Sequence, residues 1–453
     1  MNKKKLTIKE TFILAFENHK KNNLKNAENL YKEILKTNPD HFESILHLGT
    51  LLGQTKRFDL AKSFLEKAIQ INPNYVKTHN NLGMILQELG EHQAAINSFQ
   101  KAIKINPNYI QAHFNLGNLK RELGEHQAAM VCYQKAIQID PDNISIINAL
   151  SDLLKSFQIK SLSEIGRTNL KDLILFLFKG NNINHTDILH NAKLLLFDGK
   201  YEDKINQLIN LNSLLLKNEI IQNITKDELL LSILQKSLIT DKFLEVLITK
   251  LRCEILFTHF DSNHNSLNKN LNFIISIAEQ SFLNEFVYSQ SKKEMDKINQ
   301  LKIKILSKEL INELEIAILG CYIPLYTSKK IMNKLLDYKS KNIFFNKLVT
   351  THIKEPLKEL ELINSMKSLN KITDSVSKKV RKQYEEHPYP RWKHTNKNLP
   401  SSFLFVLNNE IKPNKIEVNS KFHNPNVLIA GCGTGKHIIS AETYLNANIL
   451  GID

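Results

Sequence analysis

Small and apolar residues return along the first third of the chain every 34 positions. Alanines stand at 27, 61, 95 and 129, with a second series at Ala68, Ala102 and Ala136. Glycines stand at 49, 83 and 117, and prolines at 39, 73, 107 and 141. Tyr31, Leu65, Phe99 and Tyr133 place a large side chain at one further repeating position. Residues 88–95, Glu-Leu-Gly-Glu-His-Gln-Ala-Ala, recur letter for letter as 122–129. This period predicts two antiparallel helices per repeat. Glycine and alanine let the helices approach closely, and the proline ends the second helix before the next repeat begins. Each pair leaves an apolar face that only its neighbour covers, so stability spreads along a stack. The repeats fall at 8–41, 42–75, 76–109 and 110–143, with a closing helix at 144–157.

Beyond this array the pattern changes twice. Residues 158–372 carry apolar residues at i, i+3, i+4 and i+7, as at 227–236 and 243–256, with no glycine-rich punctuation. They predict an α-helical domain whose aromatic and leucine stripes are core. Residues 373–425 read as a hinge and linker. Within them 380–392, Val-Arg-Lys-Gln-Tyr-Glu-Glu-His-Pro-Tyr-Pro-Arg-Trp, hold the chain's one tryptophan, and Pro388 and Pro390 favour an extended path there. Residues 426–453 then supply an apolar run, a glycine-rich turn, a helix-like stretch and a second apolar run closing on Asp453. The expected fold is mainly α: a repeat solenoid and a helical middle domain, ending in the first β-α-β unit of an incomplete Rossmann-like domain.

Composition narrows the function classes. The formal net charge is +15, yet arginine occurs only at 57, 121, 167, 252, 381 and 391 among 61 basic residues. A surface that reads phosphate or base edges more often recruits arginine forks, so the lysine excess reflects a chain-wide compositional bias and no nucleic-acid partner is expected. Four cysteines at 132, 253, 321 and 432 form no CxxC pair, which suggests neither a metal site nor a disulfide framework and fits a reduced, cytoplasmic compartment. The run at 173–178 is too short to span a bilayer, so no membrane partner is expected either.

The 34-residue period resembles the tetratricopeptide repeat, whose stacked helices present a groove to an extended peptide or protein partner. Asn81 and Asn115 sit one residue before the Leu-Gly pair on the first helices of their repeats. The repeats also resemble those of protein O-linked glycosyltransferases, where asparagines at this place grip a peptide backbone. That resemblance implies peptide binding by Asn81 and Asn115. The alternative is solvated groove lining or a helix-packing contact, and the first two repeats carry Ile13 and His47 instead.

The turn at 427–437, Val-Leu-Ile-Ala-Gly-Cys-Gly-Thr-Gly-Lys-His, is tested by its spacing. A phosphate-cradling GxxxxGK[ST] loop fails at Ala430 and at His437, and a dinucleotide GxGxxG loop fails at Lys436. The remaining GxGxG pattern resembles motif I of class I S-adenosylmethionine-dependent methyltransferases. Together with 280–288 (Gln-Ser-Phe-Leu-Asn-Glu-Phe-Val-Tyr), 321–325 (Cys-Tyr-Ile-Pro-Leu) and the Tyr-Pro-Arg-Trp strap, it is similar to a bacterial family that joins tetratricopeptide repeats, a helical middle and such a methyltransferase. The resemblance implies S-adenosylmethionine on Gly431, Cys432, Gly433, Thr434 and Gly435, where glycines without Cβ allow close backbone approach. Asp453, 22 residues after Gly431, would accept from the ribose hydroxyls, and Tyr384, Tyr389, Arg391 and Trp392 would form a lid. Ile429 departs from the acidic residue usual two places before the first glycine. Such a domain needs about seven strands. The chain therefore reads as the N-terminal fragment of a methyltransferase, not expected to be active alone, with catalytic residues unidentified. The alternative is a non-catalytic interaction scaffold.

Overall fold

A computed structural model describes residues 6–156, 164–181, 183–197, 199–211, 215–261, 267–365, 375, 379, 399–410, 424–430, 436–445 and 447–452. They are mainly α-helical and divide into two compact units, 1–153 and 154–453.

The first unit is a run of helix pairs: α1 (Ile8–Lys20) with α2 (Leu24–Thr37), α3 (Phe42–Gln54) with α4 (Phe58–Ile71), α5 (Val76–Glu88) with α6 (His92–Ile105), and α7 (Ile110–Glu122) with α8 (His126–Ile139). A further helix, α9 (Ile144–Ser156), follows. Local chemistry sets the ends. Thr7 and Glu10 close α1 with a reciprocal capping box, Glu10 N donating to Thr7 Oγ1 over 3.2 Å and Thr7 N donating to Glu10 Oε2 over 2.9 Å. Each turn inside a pair needs one residue in the left-handed region, filled by Asn22 and Lys56 (both φ 59°), Gly90 (77°) and Gly124 (75°). Between pairs, Pro73 and Pro107 offer carbonyls that hydrogen-bond the Nε2 atoms of buried His79 and His113, both over 2.8 Å.

The small-residue series has a direct packing role. Ala27, Ala61, Ala95 and Ala129 are fully buried, as are Tyr31, Leu65, Phe99 and Tyr133. A Cβ built on Gly83 would lie 2.6 Å from Phe99 Cε1, and one on Gly117 would lie 2.6 Å from Tyr133 Cε1. The rings fill the space that the glycines leave open.

The second unit is built around the helix Leu271–Leu283, in which every residue from Phe273 to Leu283 is buried. Burial on all sides, including Ser276, Glu279, Gln280 and Ser281, marks a central helix. It packs against the helices Glu228–Lys236, Glu313–Gly320 and Ile343–Val349. The two stretches 280–288 and 321–325 meet at a buried cation. Arg252, on the helix Lys242–Phe260, is 1% exposed and donates to the carbonyls of Ser289 (2.7 Å) and Cys321 (3.4 Å). Its guanidinium lies 4.3 Å from the Tyr322 ring centroid, and Tyr322 Oη donates to Glu294 over 2.9 Å. Burial pushes the Cys321 thiol up to about 12 and the Tyr322 phenol further still.

At the C-terminal end β1 (Ser401–Ser402) pairs with β3 (Tyr444–Leu445), and β2 (Asn426–Ala430) pairs with β4 (Asn448–Ile452), both in parallel. The helix Lys436–Ala441 connects towards β3 and β4 and buries Ala441. Among the described residues these are two separate two-stranded sheets, so the larger Rossmann-like sheet implied by the resemblance is not formed here. Leu428 and Leu450, paired in register, remain 59% and 61% exposed.

Candidate functional site

The first helices of the four repeats share a ladder of unburied positions. Along α3 they are Glu43, His47, Thr50 and Gln54; along α5, Lys77, Asn81, Met84 and Glu88; along α7, Gln111, Asn115, Asn118 and Glu122. Spacings of four, three and four residues keep each set on one helix face. The same positions on α1 are Lys9, Ile13, Phe16 and Lys20. The opposite faces of these helices are buried against α2, α4, α6 and α8, which leaves this one available to a partner.

Polar side chains join this face across the repeats. Asn81 Nδ2 donates to Thr50 Oγ1 over 3.1 Å, and Asn115 Nδ2 donates to Asn80 Oδ1 over 3.0 Å. At the far end of the same helices, Gln87 Nε2 donates to Glu122 Oε2 over 2.6 Å, and His19 Nε2 meets Gln54 Oε1 at 2.9 Å. The asparagines singled out from the sequence therefore make packing contacts with the preceding repeat. Among the described residues, neither Asn81 Oδ1 nor Asn115 Oδ1 accepts a side-chain hydrogen bond, so each amide keeps an acceptor beyond its packing role. Thr50, Met84 and Asn118 belong to the same surface, with Asn80 buried behind it, and none of the four stands out in the sequence. Thr50, Met84 and Asn118 recur at the 34-residue spacing, but their chemistry differs from repeat to repeat and hid the relation.

The first two repeats build a different environment. Phe12, Phe16, Tyr31, His19 and His47 form a contiguous ring cluster, with Phe16 and His47 centroids 5.0 Å apart and Tyr31 stacked on His47 at 6.1 Å. Desolvation, helped by His19 and Lys77, drops the His47 imidazole to about 4, so it is neutral at physiological pH. Lys20 Nζ sits 4.6 Å from the Phe16 centroid.

The other expected sites are placed as follows. Gly431, Cys432, Gly433, Thr434, Gly435 and Asp453 lie outside the described residues, as do Tyr384, Tyr389, Arg391 and Trp392. Cys132 and Cys253 are half-buried and Cys321 is buried, all three as free thiols pushed upward by desolvation. Among the described residues no cluster of His, Cys, Asp and Glu has a metal-holding arrangement, and no helix is long and apolar enough to cross a membrane.

A ladder of this kind defines a helical-repeat protein, and comparison with known families gives the class. A tetratricopeptide-repeat profile matches residues 41–108 and 74–142. Residues 41–142 are therefore tetratricopeptide repeats. Among solved structures it is similar to MamA, at 26% identity over 36% of this chain and 95% of that one, with a TM-score of 0.31. MamA from Desulfovibrio magneticus matches at 15% identity over 37% of this chain and 94% of that one, with a TM-score of 0.32. An O-GlcNAc transferase mutant of Thermobaculum terrenum matches at 26% identity over 29% of this chain and 26% of that one, with a TM-score of 0.28. No curated protein matches the chain.

Proposed function

We propose that this protein is an interaction scaffold that holds an extended polypeptide along the exposed face of α1, α3, α5 and α7. The observation that carries this reading is the amide ladder. Asn81 and Asn115 are held by Thr50 and Asn80 at fixed places, so their acceptors can meet peptide N–H groups with little ordering cost. Repeat solenoids offer such extended surfaces in general. A display library of random peptides selected on the intact chain tests it. Enriched peptides should lose most of their affinity when Asn81 and Asn115 are both changed to alanine. Selection that enriches nothing, or binding indifferent to that double change, overturns the proposal.

A second reading rests on the C-terminal unit. β2 and β4 run parallel with a helix between them, and the connection after β2 carries the GxGxG spacing. It would make the protein a methyltransferase that uses its repeats to recruit a protein. S-adenosylmethionine would then be held by Gly431, Cys432, Gly433, Thr434 and Gly435, with Asp453 on the ribose and Tyr384, Tyr389, Arg391 and Trp392 over the pocket. Calorimetric titration of S-adenosylmethionine into the intact protein tests this reading; no heat there removes it and leaves the scaffold.

A further inference from the structure

We infer that the peptide held on the inner face is bipolar, with an acidic, apolar end over α1 and a basic end over α5 and α7. This rests on the peptide-binding reading above and adds the chemistry of the ligand. Four equivalent positions in the last turn of the inner helices read Lys20, Gln54, Glu88 and Glu122, passing from cation through amide to anion. One turn or two earlier the change is from apolar to amide, with Ile13 49% exposed on α1 and Asn115 on α7. The last-turn row thus has a direction, whereas the first-turn row, Lys9, Glu43, Lys77 and Gln111, alternates in sign.

Each end has a specific use. At α1, Lys20 covers the Phe16 ring, and Ile13 stands exposed beside it, which pairs a cation with an apolar contact. A ligand group that satisfies both is a carboxylate next to a branched or aromatic side chain. At α7, Glu122 already accepts from Gln87, and Glu88 lies one repeat earlier on the same row. Two carboxylates in succession favour lysine or arginine on the ligand. Between the ends, Met84 is 47% exposed, and its thioether adapts to varied side chains. Inner helices packed about 10 Å apart span roughly 30 Å over four repeats, which about ten extended residues cover.

The experiment uses the intact chain and three fluorescent peptides of identical composition. One runs from a Glu/Leu block to a Lys block, the second has the blocks in reverse order, and the third alternates the charges. Fluorescence anisotropy should show one block peptide binding at least tenfold more tightly than the alternating one. The triple variant Lys20→Glu, Glu88→Lys, Glu122→Lys should transfer that preference to the other block peptide. A second variant, Ile13→Asp, should weaken the preferred peptide while leaving helix content unchanged by circular dichroism. Equal affinity of the parent for block and alternating peptides overturns the bipolar inference and leaves peptide binding intact. Binding of none of them, together with an empty display selection, overturns both. A triple variant that stays folded and keeps the parent's preference overturns the inference alone.

Discussion

Replacing Gly83 with alanine sets two effects of opposite sign against each other. In the middle of α5, alanine favours the helix by about 1 kcal/mol over glycine. Against this, the new Cβ would sit 2.6 Å from Phe99 Cε1, 2.7 Å from Cδ1 and 2.9 Å from Cζ. Phe99 is fully buried and its ring is flanked by the small-residue seam of α6, so it has no solvent to retreat into. Overpacking of this kind costs about 1–3 kcal/mol. The contact wins, and the expected net loss is about 1 kcal/mol. Gly117→Ala should cost more. Its Cβ would press on Tyr133, whose hydroxyl donates to Asn118 over 2.6 Å and would be displaced with the ring. Gly49→Ala should cost least, because it meets Leu65 at 3.0 Å or beyond and a leucine can shift a rotamer. Because repeat arrays unfold in parts, urea titration by circular dichroism should be paired with amide exchange in α5 and α6. The double change Gly83→Ala with Phe99→Leu should recover part of the loss, which isolates the contact. If Gly83→Ala is as stable as the parent or more so, the close-approach account of the glycine series is wrong.

Three other outcomes follow from single features. Lys56 adopts φ 59° where the third repeat has Gly90, so Lys56→Gly should stabilise the array by about 1 kcal/mol, and a thermal melt below the parent's would count against it. The bidentate pair from Arg57 to Glu28, at 2.8 and 2.7 Å, holds the Glu28 carboxyl at about 2, below the roughly 4.3 of an unfolded glutamate. Its stabilisation is present above that unfolded value and lost as pH falls towards 2. With Arg57 38% exposed, about 1 kcal/mol is expected, and the parent's advantage over Glu28→Gln should vanish between pH 4.5 and 2 in urea titrations. An advantage that persists at the acid end would refute it. Arg252→Ala leaves the Ser289 and Cys321 carbonyls without their donor and opens a cavity beneath Tyr322. About 3–5 kcal/mol should be lost by calorimetric melting, whereas Arg252→Met should lose less; equal melting of parent and alanine variant would show that the buried cation is not structural.

The repeat architecture was legible because its causes are periodic. A glycine opposite a large side chain, an alanine at a helix crossing and a proline after a helix each recur at 34 residues, and the glycine contact is made again at Leu65, Phe99 and Tyr133. The functional face was legible only in part. Asn81 and Asn115 repeat in type, but their partners Thr50 and Asn80 lie 31 and 35 residues away, at two different helix positions. No single shift of the sequence aligns both pairs. Arg252 was hidden for another reason. Its partners are main-chain carbonyls and ring faces, which the residue letters around positions 289, 321 and 322 do not announce. Around the stretches 280–288 and 321–325 the packing is partly polar, organised about one cation.

Near-identity between repeats creates a problem that the array's ion pairs address. Residues 88–95 and 122–129 are the same, so one repeat could stack on the wrong neighbour at little cost in apolar burial. Across the first junction Glu28 meets Arg57 at 2.7 Å. At the equivalent positions of the second junction Lys62 meets Glu91 at 2.8 Å, with the charges exchanged. Stacking the first repeat on the third would set Glu28 against Glu91. At the third junction the equivalents are Ile96 and Glu125, and Glu125 is held instead by Lys120 of its own repeat at 2.6 Å. Three junctions thus carry three different codes. Exposed pairs of this sort add little stability, but their repulsion in the wrong order discriminates between stackings. The continuity of the chain through short turns sets the order of Lys20, Gln54, Glu88 and Glu122 along the inner face, and the first two pairs reinforce it. The polarity proposed for the bound peptide therefore follows from the order of the repeats along the chain.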